Sequence, residues 1–292
     1  MTVEQLDPPV GDDVLALAGR ARQCRQAGDL RGALENLVEA NRRAGEHPAL
    51  LAEIAEVASA GGDHAAAEQL LRRVLALRPG GVPAVQLAIC VYNRQRYTEA
   101  VQLFEAALPQ VTITPQIANA YALALEKAGA LAPARAVREQ VLAQQPTPAH
   151  ALELAQVLSR QGEQELLRQR LSDWLARWPE DPALLGYAAG HLLALGDYPQ
   201  GFALLRRRLA RVGHGIDDAA LAACPAWDGR PFEGELLVRL EPHLGEEIQV
   251  TSLLAGLVAM RQRAQVEVDA RLLRLCARAF PSLGFVARGQ RA

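Results

Sequence analysis

A single lysine, Lys127, stands among 31 basic residues in this chain of 292, and aromatic side chains make up only 4% of it. An interior so poor in rings must be built from Ala, Leu and Val, as helical repeats are. Cysteine is scarce too: Cys24, Cys90, Cys224 and Cys276 show no short metal-ligand spacing, and the first and second fall on core-facing helical phases, which predicts buried free thiols. No apolar run approaches the roughly 20 residues that span a bilayer. The acidic, proline-containing stretch Met1 to Asp13 has neither the basic start nor the apolar segment of a secretory signal. A formal charge of −2 leaves no excess for nucleic acid or an acidic membrane. No nucleophile elbow, Walker loop or HExxH occurs. These absences predict a cytoplasmic, non-enzymatic protein with no cofactor, metal, nucleic-acid partner or membrane insertion. The excess of arginine and alanine looks bacterial, a high-GC coding bias with no mechanistic content.

What is present is repetition. Gly28, Gly62, Gln95, Gly129, Gly162 and Gly196 follow one another at steps of 34, 33, 34, 33 and 34 residues. Seven residues before each stands an alanine: Ala21, Ala55, Ala88, Ala122, Ala155 and Ala189. Five residues after come Ala33, Ala67, Ala100, Ala134, Leu167 and Gly201. Small side chains at fixed phases let two helix backbones approach, so the pattern predicts stacked helical hairpins. Gly28-Asp29, Gly62-Asp63 and Gly196-Asp197 predict a left-handed glycine ending one helix and an aspartate capping the next. Pro79, Pro146 and Pro179 close three units. Two departures stand out. The third turn reads Gln95-Arg96, and Arg138 occupies a phase that should be buried, which predicts weakened single units.

The 34-residue period and both small-residue phases resemble the tetratricopeptide repeat family. That resemblance implies a mainly α fold: a right-handed superhelix of about six helix pairs over residues 14–211, after a tail over 1–13. It also implies that first helices line a concave groove holding a peptide or helix of a protein partner. The phases pointing into such a groove are Arg22, Arg25, Gln26, Glu56, Ser59, Tyr92, Asn93, Gln116, Asn119, Glu126, Lys127, Gln156, Ser159 and Arg160. Any one of them could equally be the solvated side of an amphipathic helix. The carboxylate-clamp set of the family and its asparagine ladder are both missing. The basic run Arg206 to Arg208 with Arg211 reads as a solvated helix face. Oligomeric state is not legible.

After Arg211 the grammar changes. Residues 212–235 are rich in Gly and Pro and read as a linker. Leu236 to Leu240, Val266 to Val268 and Gly284 to Val286 read as strands. Between them lie a polar loop (Glu241 to Glu247), a helix with Ile248, Leu254, Leu257 and Val258 on one face, and a helix over Ala270 to Ala279. Alternating strands and helices predict a small, incomplete Rossmann-like α/β segment over 236–292. The run Trp227-Asp228-Gly229, the strand after it, and Glu241 to Gln249 resemble the start of the GT-B glycosyltransferase-like domain of bacterial repeat–glycosyltransferase fusions. The resemblance covers about residues 225–288. It implies an acceptor-side loop carrying His243 and Glu246, against the alternative of an ordinary solvated loop. His243 stands where the family has glycine and Glu246 where it has aspartate. The alternative function is therefore a glycosyltransferase, or its acceptor half, whose donor lobe is missing or supplied in trans, since the residues after Leu236 are too few for a donor half. A third reading makes the segment a cap on the last repeat. His191, set among Ala188, Ala189, Leu192 and Leu193, reads as a partly buried structural histidine.

Overall fold

The computed structural model describes residues 10–212, 225, 227–230, 232–240 and 244–289, of which 209, 210, 212 and 246 are described by backbone alone. They fall into two compact units, divided between residues 208 and 209.

The first unit is built from six helical hairpins. The first helices are α1 (Asp12–Gln26), α3 (Pro48–Ala60), α5 (Val82–Asn93), α7 (Pro115–Lys127), α9 (Pro148–Gln161) and α11 (Pro182–Ala194). The second helices are α2 (Leu30–Ala44), α4 (His64–Leu77), α6 (Tyr97–Ala107), α8 (Leu131–Gln144), α10 (Gln164–Arg177) and α12 (Tyr198–Val212). A 3-10 turn, Leu108–Gln110, extends α6. Five hairpin turns carry a left-handed glycine, with φ of +79° at Gly28, +86° at Gly62, +81° at Gly129, +78° at Gly162 and +84° at Gly196. Asp29 and Asp63 accept the backbone N–H of Gly32 and Ala66 at 2.8 and 2.9 Å, capping α2 and α4. Entry into the later first helices uses a different device. Thr114, Thr147 and Asp181 accept a backbone N–H, and each is followed by a proline at the first helical position, where a missing N–H costs nothing.

Gln95 takes the glycine role in the third turn, at φ +62°. A side chain there pays about 1 kcal/mol of left-handed strain. Gln95→Gly is therefore expected to raise stability by up to about 1 kcal/mol in urea titration, because the strain outweighs the entropy glycine adds to the unfolded chain. A loss instead would mean that the amide side chain makes a compensating contact.

The six alanines before the turns are at most 1% exposed, and Ala33, Ala67, Ala100, Ala134 and Leu167 are fully buried. In the last hairpin a Cβ at Gly201 would lie 2.7 Å from Leu193 Cδ2, so glycine is needed for close packing there. Phe104 is the largest wholly buried side chain, packed among Leu71, Leu87 and Val91, with Tyr121 5.6 Å away ring to ring. Cys90 is buried within this cluster, Cys24 is half-buried against the neighbouring one, and both are free thiols, as is buried Cys276. Cys224 lies outside the described residues.

The second unit is a three-stranded parallel sheet, β1 (Glu235–Arg239), β2 (Arg263–Val268) and β3 (Gly284–Ala287), in the order β1-β2-β3. Val238 faces Val266, and Val266 faces Phe285. The connecting helices are α13 (Leu244–Thr251), α14 (Leu254–Ala259) and α15 (Leu273–Ala279). The single amphipathic helix expected after the loop is broken in two. Leu254 and Leu257 are buried, whereas Ile248 is 51% exposed and Val258 38% exposed. The break shifts the helical phase, and the residue α13 turns inward is Glu247. Its carboxylate accepts the Asp269 backbone N–H at 2.8 Å and pairs with Arg288.

Candidate functional site

Arg22, Arg25, Gln26 and Glu56 come together in one open groove of about 810 Å³ across α1, α3 and α5. The groove is lined by Ala49 and Ala52 of α3 and by residues 78–83, which run from the end of α4 into the first turn of α5. Arg25 donates to Glu56 at 3.0 Å, and Arg22 stands 3.7 Å from Glu53. Glu53 also lines the groove, although it is not among the residues expected there. One of its carboxylate oxygens is buried without a hydrogen-bond partner. Burial raises its pKa, against the pull of Arg22 and Arg25. A buried acceptor without a partner keeps its desolvation cost uncompensated. Arg78, exposed on the same rim, enters no ion pair among the described residues.

The other expected groove residues divide. Tyr92 is half-buried with its ring 5.5 Å from that of Tyr97, while Asn93, Gln116, Lys127, Gln156 and Ser159 are exposed. Ser59 is turned toward its own repeats, contacting His64 at 3.2 Å and the Cys90 thiol at 3.7 Å. Glu126 does not face a groove. It is buried, and it accepts two hydrogen bonds from Arg138 at 2.9 and 3.0 Å. Arg138 also donates to Asn119 at 2.9 Å and to Glu153 at 2.7 Å, and Arg160 donates to the Glu126 backbone at 2.8 Å. Asn119, Glu126 and Arg160 are therefore joined in one network linking α7, α8 and α9. Arg138, expected to weaken its repeat, is the hub of that network.

A second buried carboxylate, Glu68 of α4, is held by Arg72, Arg94 and Arg96. Burial alone would raise its pKa; the three guanidiniums outweigh that and hold it at about 2. A depressed folded pKa contributes stability that is complete above the unfolded value of about 4.3 and is lost as pH falls toward 2. The melting temperature is expected to fall through that window, and Glu68→Gln should flatten the fall. An equal slope in the variant would remove Glu68 from the acid response.

His243 and the side chain of Glu246 lie outside the described residues. His191 is half-buried and its pKa is lowered by burial. Among the described residues no group of His, Cys, Asp and Glu could hold a metal ion. No helix among them is long and apolar enough to cross a membrane.

Stacked hairpins with a groove on their first helices make this part of the chain an α-solenoid. Residues 25–90 and 58–124 match the tetratricopeptide repeat family. Among solved structures, a tetratricopeptide repeat protein from Parabacteroides merdae aligns with a TM-score of 0.58 at 15% identity, over 69% of this chain and 80% of that one. PilW, described as a widely conserved type IV pilus biogenesis factor, aligns at 0.57 and 17% identity, over 74% of this chain and all of its own. YrrB, described as a repeat protein with an unusual peptide-binding site, aligns at 0.51 and 14% identity, over 65% of this chain and 97% of its own. At these identities the likeness is one of fold. No curated protein matches the chain. The family match lies within the helical repeats, so the glycosyltransferase resemblance of residues 225–288 gains no support from it.

Proposed function

We propose that this protein is a non-catalytic binding scaffold that receives a segment of a partner protein in the groove of its first three repeats. The observation that carries this reading is the open groove itself, with a Glu53 oxygen that has no hydrogen-bond partner on its wall and, on its rim, Arg78 without an ion pair among the described residues. The next first helix along has its candidate groove residues Asn119 and Glu126 tied into the Arg138 network. The open groove is the one on α1, α3 and α5, and the reading is placed there. Three helices at about 10 Å spacing give a span of roughly 20 Å, the length of about six extended residues. The partner segment is accordingly short and inserts apolar side chains over Ala49 and Ala52, while its backbone or polar groups meet Glu53 and the arginines.

The test is a selection of random peptides displayed on phage against the full chain. Peptides recovered by the wild type are expected to lose at least tenfold in affinity when Arg22 and Arg25 are both changed to glutamate. The same reversal at Arg31, which is 90% exposed on α2, should leave them bound. Equal losses from both variants, with helical circular dichroism unchanged, would reject the groove.

A further inference from the structure

The ionisable side chains lining the groove on α1, α3 and α5 are Arg22, Arg25, Arg78, Glu53, Glu56 and His47. His47 is taken up as the cap of α3, its Nδ1 accepting the Ala49 N–H at 3.3 Å. Three guanidiniums are then set against two carboxylates, and burial disfavours the charge on one of these, Glu53. Elsewhere in the first three repeats carboxylates consume the arginines: Glu39 holds Arg42 and Arg43, and Glu68 holds Arg72, Arg94 and Arg96. In the groove they do not. Arg25 gives one N–H to Glu56. Arg22 stands 3.7 Å from Glu53, too far for a hydrogen bond. The Arg78 side chain enters neither a hydrogen bond nor an ion pair among the described residues. It is exposed, and the Arg22 and Arg25 side chains are 39% and 38% exposed, so all three reach solvent.

The backbone of Arg78 is held in place before anything binds. It follows the last residue of α4, and its N–H donates to the Val74 carbonyl at 2.7 Å. Pro79 after it restricts its dihedral angles. Gly80 packs against Gln110, and a Cβ there would displace the Gln110 side chain. The dipole of α4 favours a cation at this end of the helix, but that interaction uses none of the guanidinium N–H groups. The groove thus presents an excess positive charge on a fixed backbone, with guanidinium donors open to an incoming oxygen.

We propose that the partner segment received by this groove is acidic: an aspartate or glutamate of the segment pairs with Arg78, while its backbone carbonyls accept from Arg22 and Arg25. A single carboxylate balances three guanidiniums against two glutamates. A phosphorylated side chain, with about two negative charges, would reverse the excess beside Glu53 and Glu56. A basic segment would meet the arginines and find both glutamates already facing one. This inference rests on the groove reading above and names the chemistry that the groove selects.

The experiment sequences the random peptides that phage display recovers with the full chain and with its Arg78→Glu variant. Asp or Glu is expected to be enriched at one position with the wild type, and Lys or Arg at that position with Arg78→Glu. In a recovered peptide made synthetically, changing the acidic residue to its amide should weaken binding about tenfold by calorimetry. Arg78→Gln should cost about tenfold as well, and the two changes together no more than either alone. Phosphoserine at the acidic position should bind no tighter than the carboxylate. Peptides that depend on Arg22 and Arg25 yet show no acidic preference would overturn this inference and leave the groove reading standing. So would undiminished binding by Arg78→Gln with its circular dichroism unchanged, or tighter binding of the phosphoserine peptide. Peptides indifferent to the reversal of Arg22 and Arg25, or a selection that recovers none, would overturn both.

Discussion

Arg138→Leu is expected to cost about 3–5 kcal/mol, the range for breaking a buried ion pair from one side. The guanidinium is 3% exposed and its partner Glu126 9% exposed, so neither can turn to water when the other is lost. After the substitution Glu126 keeps only Arg160, at 3.4 Å, while Asn119 and Glu153 lose their donor. The double variant Arg138→Leu with Glu126→Leu should recover most of the loss, because well-packed apolar residues replace a buried pair at little net cost. Urea titration of the single and double variants makes the comparison. A double variant as unstable as the two singles summed would show that the pair itself is not the source.

Phe104→Ala should be similarly damaging, at about 3–5 kcal/mol for removing a buried ring from a close-packed site. Its neighbours come from three successive repeats, with Leu71 before it and Tyr121 after it. The loss should therefore appear by hydrogen exchange in α4 to α7 first and spare the last hairpins, since each repeat of a solenoid contacts only its neighbours. Val38→Ala, on a side chain 51% exposed, is the control and should change stability by less than about 0.5 kcal/mol. Uniform exchange along the array in Phe104→Ala would argue that the helical unit unfolds as one block.

The sequence made the hairpins legible because turn glycines and small residues act locally, within a single helix pair. Gln95 was legible as a departure, and its left-handed φ bears out the turn assignment while adding strain. Arg138 was legible as an arginine at a buried phase, but its partners were not. They lie 12, 15 and 19 residues away on two other helices. Periodicity reports which way a side chain points and nothing about what it meets there. For the same reason Glu126 read as a groove residue although it points into a pair. Glu53 carried no signal, since its open oxygen is a property of the assembled wall. In the α/β unit the strands were legible from short apolar runs, and α13 was not. Eight residues are too few to reveal a phase, and Glu247 is turned inward by an arginine 41 positions later.

Lys127 closes α7 with its side chain exposed. Because it is the sole lysine, the chain presents one ε-amine to amine-directed chemistry. A fluorophore attached under conditions that spare the α-amine would sit one residue beyond Glu126, at the edge of the Arg138 network. Changes in that network would then be read at a single labelled position without introducing a cysteine.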